Sequence, residues 1–371
     1  MMHQAAIGPG PRMRVLADAA DDSAALVSGA VEVGNYRDLG DLSRFASSVD
    51  VLTFDHEHVP PEHLRQLADR GVRVLPGPEA LLHAQDKVVM RRRLSELGLP
   101  VPRWVPAATP AAVAELADAT GWPVVAKSVR GGYDGRGVWL LAGPQELEQL
   151  LAEVGDLPLY AEAAVPLRCE VAAVVARNSA GEVRAWPTVE TVQRNGICME
   201  VLAPAPGLTA EQAAEAERIA VTVATELGVV GVLAVELFEQ PDGQLVINEL
   251  AMRPHNSGHW TIEGSRTSQF EQHLRAVAGW PLGETAPTAA VTVMANLLGS
   301  DDPAVEARVP QVYRQDAGVR VHLYGKPSRP GRKLGHVTAL GDDVDEVRER
   351  ALRAVAVLRG ELPTQNRGGS A

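Results

Sequence analysis

GVLAVELFEQPDGQLVINELAMRPHNSGHW, residues 231–260, decides how the rest of the chain is read. Two apolar runs, 232–238 and 245–250, flank Pro241-Asp242-Gly243, residue types that favour a tight turn. The pattern predicts a β-hairpin. Each strand carries one carboxylate in otherwise apolar company, Glu236 and Glu249. A buried, unpaired carboxylate costs several kcal/mol or titrates to neutrality, so something cationic should sit between them. Asn248 adds a hard oxygen, and Arg253, His255, Asn256 and His259 follow at once. Hard oxygens on paired strands suit Mg²⁺, which is usually held by one or two carboxylates plus substrate phosphates. The hairpin alone leaves a second reading open, in which its two acids meet Arg or Lys.

The chain of 371 residues is 46% hydrophobic, enough for a substantial core and two or three domains. A net charge of −12 argues against a general nucleic-acid or anionic-membrane binder, since both need a basic face. It leaves room for a phosphate ligand where basic groups gather locally. The two cysteines, Cys169 and Cys198, lack C-x-x-C spacing, so neither a disulfide framework nor a thiolate zinc site is indicated. The opening MMHQAAIGPGPR has no signal-peptide form, and no apolar run approaches the ~18 residues of a membrane span. A soluble, cytoplasmic protein is expected.

Along the chain, strands at 14–17, 31–33, 49–54 and 72–75 alternate with helices at 39–47 and 60–70, which predicts βαβ units and a parallel, doubly wound sheet. Asp55-His56-Glu57-His58 lies just past a predicted strand, where polar residues face a ligand crevice or plain solvent; a metal reading lacks partner spacing. Arg91-Arg92-Arg93 in the helical stretch 87–97 reads as a solvated face. Leu99-Pro100-Val101-Pro102 marks a domain boundary. A helix at 109–120, a strand at 122–128 with Lys127 near its end, a strand at 138–142, a helix at 145–154 and strands at 159–165 and 170–177 then describe a small α+β lobe. Residues 209–227 form an amphipathic helix that leads into the hairpin. A helix at 268–278, a buried strand at 290–298, a β-turn-β unit around the basic turn 326–333 and a helix at 345–359 complete the fold, with a disordered tail at 364–371.

Between the strands at 122–128 and 138–142 lies Gly131-Gly132-Tyr133-Asp134-Gly135-Arg136-Gly137. Four glycines expose backbone N–H groups that can approach phosphate oxygens closely, and Lys127 supplies a point charge for the same phosphates. A flexible hairpin tip would look similar, but it has no need of Tyr133, Asp134 and Arg136. The order strand-Lys127, glycine-rich loop, strand-Glu162, then the Glu236 and Asn248-Glu249 hairpin resembles an ATP-grasp enzyme. More closely, GGYDGRG at 131–137, INELAMRPHNSGHW at 247–260 and RPGRKLGH at 329–336 resemble the 5-(carboxyamino)imidazole ribonucleotide synthase family.

That resemblance implies an ATP-grasp ligase with a truncated, doubly wound pre-ATP-grasp domain at 1–98 and an ATP-grasp domain at 99–300, its small lobe at 99–168 and its large lobe at 169–300. A β-rich C-terminal domain at 301–362 and a tail at 363–371 follow. It implies that ATP and Mg²⁺ convert bicarbonate to carboxyphosphate, which carboxylates 5-aminoimidazole ribonucleotide in purine biosynthesis. Carried over by motif, Lys87 and Lys127 would contact ATP phosphates beneath the 131–137 lid. Glu162, Ala163, Ala164 and Val165 would line the adenine and hinge region, and Glu170 the ribose hydroxyls. Glu236 and Glu249 would hold Mg²⁺ with Asn248 beside them. Arg253, His255 and Asn256, with Tyr133 and Asp134, would face bicarbonate or carboxyphosphate. Lys326, Arg329, Arg332 and Lys333 would take the nucleotide's 5′-phosphate; alone, that turn reads as a solvated basic loop. A homodimer, and a mutase receiving the product, also belong to what the family implies.

Two departures stand out. Gln193 occupies a position where many family members carry a nucleotide-contacting His; Gln can still donate a hydrogen bond. Family chains also begin with a strand and a G-x-G-Q-L turn, whereas Met1-Met2-His3-Gln4 looks like the helix that should follow, so that strand is expected to be missing. Its loss would leave unpaired backbone groups and apolar side chains at the sheet. The rival readings are a ligase for another carboxylate and a catalytically silent nucleotide-binding protein.

Overall fold

The computed structural model describes residues 1–132, 135–302 and 304–361. The hairpin forms as expected: strands Gly231–Glu239 and Leu245–Ala251 pair antiparallel around a turn in which Gly243 has φ +84°. The helix that feeds it, Ala210–Glu226, starts at a capping box. Gln212 donates its N–H to the Thr209 hydroxyl and its side chain accepts from the Thr209 N–H, satisfying two orphan donors of the first turn. Ala216, Ile219, Ala220, Val223 and Ala224 are buried, one stripe of an amphipathic helix laid on the sheet. Full burial of a side chain the size of Ile219 contributes roughly 1.5–3 kcal/mol.

The hairpin forms one margin of a nine-stranded sheet. From it the order runs through Cys169–Arg177, Val189–Arg194, Ile197–Ala203, Val291–Leu298, Lys333–Gly341 and Arg320–Leu323, with Val183–Ala185 pairing Cys169–Arg177 off this path. Backbone hydrogen bonding thus continues from the hairpin into the C-terminal strands that flank the basic turn. A helix, Val344–Leu358, covers that end and buries Val347, Ala351 and Leu358. A separate four-stranded antiparallel sheet, Trp104–Val105, Leu159–Ala163, Val124–Ser128 and Val138–Leu141, forms the small lobe.

The N-terminal segment is α/β, with a correction. Val15–Ala17 and Val31–Val33 pair in parallel as expected. The strands expected at 49–54 and 72–75 reduce to one parallel bridge, Leu52 to Val74. Apolar alternation was enough to suggest strands, but a ladder needs partners along its length. Among the described residues no strand joins this bridge to Val15–Ala17. The opening residues are helical over Met2–Ile7.

Candidate active site

Register places the two hairpin carboxylates face to face: Glu236 is the cross-strand partner of Glu249. The ladder slips between Glu236 and Leu237, because Leu237 pairs with Ile247 and leaves Asn248 as the extra residue. Such a bulge re-aims side chains that strict alternation would send to opposite faces. Asn248 consequently reaches the same site. Its Oδ1 accepts from Lys127 Nζ at 3.0 Å, and its Nδ2 lies 3.5 Å from Glu236 Oε2.

Of the two readings left open by the hairpin, the one in which its acids meet Arg or Lys is seen for Glu249, while Glu236 meets a histidine. Lys87 Nζ lies 3.3 Å from Glu249, and His255 Nε2 lies 3.2 Å from Glu236. These basic groups come from opposite sides, Lys87 from the first turn of helix Lys87–Glu96 and His255 from the loop after the hairpin. The donor set still fits Mg²⁺: two facing carboxylates and an amide oxygen are hard ligands, and both carboxylates are partly exposed, at 29% and 39%. Among the described residues no group of three or more His, Cys, Asp or Glu converges, as a transition-metal centre would require.

Behind the hairpin, Glu162 is 2% exposed and is bridged by Lys127 Nζ at 2.5 Å and Arg91 Nε at 2.9 Å. Burial pushes its carboxyl pKa up, but the charges of Arg91 and Lys127 outweigh that and hold it below the usual carboxylate range. Arg91 also donates through Nη2 to the Asn248 carbonyl at 2.8 Å. This corrects the solvated-face reading of the arginine triplet: Arg91 is fully buried, while Arg92 faces solvent. Helical phase explains the difference, since Met90, Arg91 and Leu94 share the buried face.

Gly131, Gly132 and Gly135 of the glycine-rich loop line the same crevice as Lys127 and Glu162. Lys87 Nζ donates to the Gly131 carbonyl at 3.0 Å. Gly132 has φ +80°, and a Cβ there would lie 2.6 Å from the Arg136 carbonyl, so only glycine fits. Tyr133 and Asp134 lie outside the described residues, as does the tail expected at 364–371. Gly135 packs against the turn at 195–196 of the large lobe.

In HNSGH the loop is built around Gln269. Its Oε1 accepts from the His255 N–H at 2.8 Å and its Nε2 donates to the His255 carbonyl at 2.7 Å. A Cβ at Gly258 would come within 2.3 Å of Gln269 Oε1, which accounts for the glycine. Asn256 and Asn296 exchange amide hydrogen bonds at 3.0 and 2.7 Å. Arg253 is held by Glu57, Nε to Oε2 at 2.7 Å, a contact that the sequence reading missed.

Most of these groups open on one crevice of about 2570 Å³, whose lining leaves out Arg91, Gln269 and Asn296. Lys87, Lys127, Gly131, Gly132 and Gly135 line it, as do Glu162, Ala163, Ala164, Val165, Glu170 and Gln193. Glu236, Asn248, Glu249, Arg253, His255 and Asn256 follow, and the basic turn contributes Lys326 and Lys333. Arg136, Gly137, Arg329 and Arg332 are outside the lining. Burial and the Glu236 carboxylate push the Glu170 carboxyl up to about 7, partly offset by Lys127. Burial, with Arg332 and Lys333 nearby, lowers the Lys326 ammonium, partly offset by Asp55.

Three family descriptions match the chain in series. A ribonucleotide synthetase preATP-grasp domain matches residues 1–85, an ATP-grasp domain 92–270, and a phosphoribosylaminoimidazole carboxylase C-terminal domain 292–350. The N5-carboxyaminoimidazole ribonucleotide synthase of Mycobacterium tuberculosis is 52% identical over 356 residues, covering 95% of this chain and 83% of the relative. The chain belongs to the N5-carboxyaminoimidazole ribonucleotide synthase family. The synthetase structure from Thermus thermophilus superposes with a TM-score of 0.87 at 37% identity, over 98% of this chain and 96% of that one. A synthase structure from Aspergillus clavatus, complexed with ADP and 5-aminoimidazole ribonucleotide, gives 0.87 at 29% identity, over 96% and 95%. An N5-carboxyaminoimidazole ribonucleotide synthase is an ATP-grasp ligase, and the two-lobed fold with its preATP-grasp and C-terminal parts is the one that the family uses.

Proposed function

We propose that this chain uses ATP, Mg²⁺ and bicarbonate to carboxylate the exocyclic amine of 5-aminoimidazole ribonucleotide through carboxyphosphate, in purine biosynthesis. One observation carries the reading: a single crevice takes in both the Glu236–Glu249 pair and the lysines of the basic turn, with Arg253 and His255 also in its lining. A cation site and anion sites sharing one cavity suit transfer of an activated carboxyl group onto a phosphorylated acceptor. Membership of the family and the ligands named for the Aspergillus clavatus structure support it.

Glu236 and Glu249, with Asn248 beside them, would hold Mg²⁺, which neutralises charge on ATP phosphates. Lys87 and Lys127 would meet those phosphates beneath loop 131–137. Glu162, Ala163, Ala164 and Val165 would border the base, with Gln193 nearby, and Glu170 would take ribose hydroxyls. Arg253, His255 and Asn256, with Tyr133 and Asp134, would surround bicarbonate and then carboxyphosphate. The planar Arg253 fork offers fixed charge to an anion that water would otherwise consume. The 5′-phosphate would go to Lys326, Arg329, Arg332 and Lys333. With this reading we place a cytoplasmic homodimer that passes its product to the mutase. No helix among the described residues is long and apolar enough to cross a membrane.

The deciding experiment is phosphate release from ATP with Mg²⁺ and bicarbonate, with and without 5-aminoimidazole ribonucleotide. Release stimulated by the ribonucleotide, with carboxylated product, supports the reading. Turnover indifferent to it points to another carboxylate acceptor, and no turnover at all points to a silent nucleotide-binding protein.

The basic turn gives a second test. Lys326 feels Arg332 and Lys333 as like charges, and a bound phosphate relieves that repulsion. Arg332→Ala is therefore expected to raise KM for the ribonucleotide about tenfold while KM for ATP moves less than about twofold. Equal effects on the two would remove the turn from the substrate site.

A further inference from the structure

Asp55-His56-Glu57-His58 comes from the N-terminal segment, yet its third residue reaches a loop of the large lobe almost two hundred positions away. Glu57 Oε1 accepts the Met252 N–H at 3.1 Å while Oε2 accepts the Arg253 Nε–H at 2.7 Å. Donors from two consecutive residues fix the plane of the carboxylate. The Glu57 side chain is 14% exposed and that of Arg253 27%, so water screens the pair only in part. Arg253 Nη1 is engaged as well, donating to the Pro254 carbonyl at 3.1 Å. The protein thus grips the guanidinium by Nε and Nη1 and sets the direction of the fork in the crevice.

The grip is itself anchored. Gln85, at the end of helix Pro78–Gln85, donates from one Nε2 to the Glu57 carbonyl at 3.0 Å and to the Val59 carbonyl at 2.8 Å. The same loop places Asp55 within electrostatic range of Lys326 on the basic turn. One short segment of the N-terminal part therefore addresses both anion-facing regions of the crevice.

We propose that Glu57 is a positioning residue for carboxyl transfer, holding the Arg253 guanidinium from the opposite domain so that its fork faces the carboxyl donor. The inference rests on the function proposed above. In the step it serves, the amine nitrogen forms a bond to the carboxyl carbon of carboxyphosphate and the carbon–oxygen bond to phosphorus breaks. Inorganic phosphate leaves with that electron pair, and the amine proton passes to phosphate or solvent. Glu57 and Arg253 exchange no proton. Their part is geometric and electrostatic, keeping a charged donor in place before the reactive anion forms.

The test is Glu57→Gln. An amide presents an NH₂ group to one of the two donors, so either Met252 or Arg253 loses its acceptor and the fork is no longer fixed. The expected result is a rise of about tenfold in the bicarbonate concentration that half-saturates ATP turnover, with KM for ATP within about twofold. The yield of carboxylated product per ATP should fall. Glu57→Asp, which keeps the charge but is one methylene shorter, should recover part of both effects, and it serves alone if Glu57→Gln does not fold. Unmoved bicarbonate saturation overturns the proposal, whether melting is unchanged, meaning an idle ion pair, or lowered, meaning a merely structural one. If the parent enzyme turns over ATP with bicarbonate but carboxylates no ribonucleotide, the substrate reading fails, and bicarbonate saturation still decides the role of Glu57.

Discussion

Glu249→Gln is expected to reduce Mg²⁺-dependent ATP turnover by at least about 100-fold, some 3 kcal/mol of transition-state stabilisation. The substitution keeps side-chain volume and an oxygen that can accept from Lys87, whose Nζ is 3.3 Å away, so the hairpin should persist. What it removes is one of two negative charges placed opposite each other across the strands. Like charges in that arrangement destabilise a sheet, so the variant without ligands should melt no lower than the parent, and the gain in melting temperature on adding Mg²⁺ and ATP should shrink. Loss of turnover without loss of stability separates a ligand from a structural acid. Near-normal turnover would remove Glu249 from the cation site.

The chain's own basic side chains give the site a second property. Lys87 stands on Glu249, His255 on Glu236, and Lys127 on both Asn248 and Glu162. A basic side chain thus stands on each hairpin carboxylate, and against the effect of burial the His255 hydrogen bond holds the Glu236 carboxyl below the usual carboxylate range. In the function proposed above, a divalent cation would take the carboxylates and the basic side chains would turn to the phosphates of ATP. Lys87 and Lys127 already line the crevice in which that exchange would take place.

Much of this was legible in the sequence, where the deciding signal is local. The hairpin turn and the apolar stripe of the helix before it are short-range patterns, and the structure reproduces each within a residue or so. The site motifs were legible because a glycine-rich loop, a strand lysine and two strand acids have few other reasons to occur in that order. Long-range facts were not legible. No pattern announces that Asn248 is a bulge residue, since a bulge is defined by the opposite strand. The Leu52–Val74 bridge looked like two full strands because alternation records a buried face but not a ladder partner. Glu57 could not be found from its surroundings, because its partner lies on another domain. Arg91 is different. The spacing of Met90, Arg91 and Leu94 was available, and a basic triplet was read as a charge run when it should have been read as a helix face.

Arg91 also carries the largest expected effect on stability. Arg91→Met should destabilise the protein by about 3–5 kcal/mol, as breaking a buried ion pair does when one charge stays behind. The partner left behind is Glu162, 2% exposed and well ionised in the parent. Lys127 would still bridge it at 2.5 Å, which places the expected cost toward the lower end of that range. Yet the same lysine would then be drawn further onto Glu162 and away from Asn248, and the Asn248 carbonyl would lose its donor. Arg91 therefore links stability to the phosphate-facing lysine through one acid. The consequence can be measured by combining Arg91→Met with Glu162→Gln. If the three groups form one network, the double variant should be clearly more stable than the sum of the two single changes allows, because both single changes lose the same Arg91–Glu162 interaction and the double variant loses it once. Additive costs, or an Arg91→Met protein as stable as the parent, would mean that the guanidinium is simply packed there and that Glu162 is served by Lys127 alone.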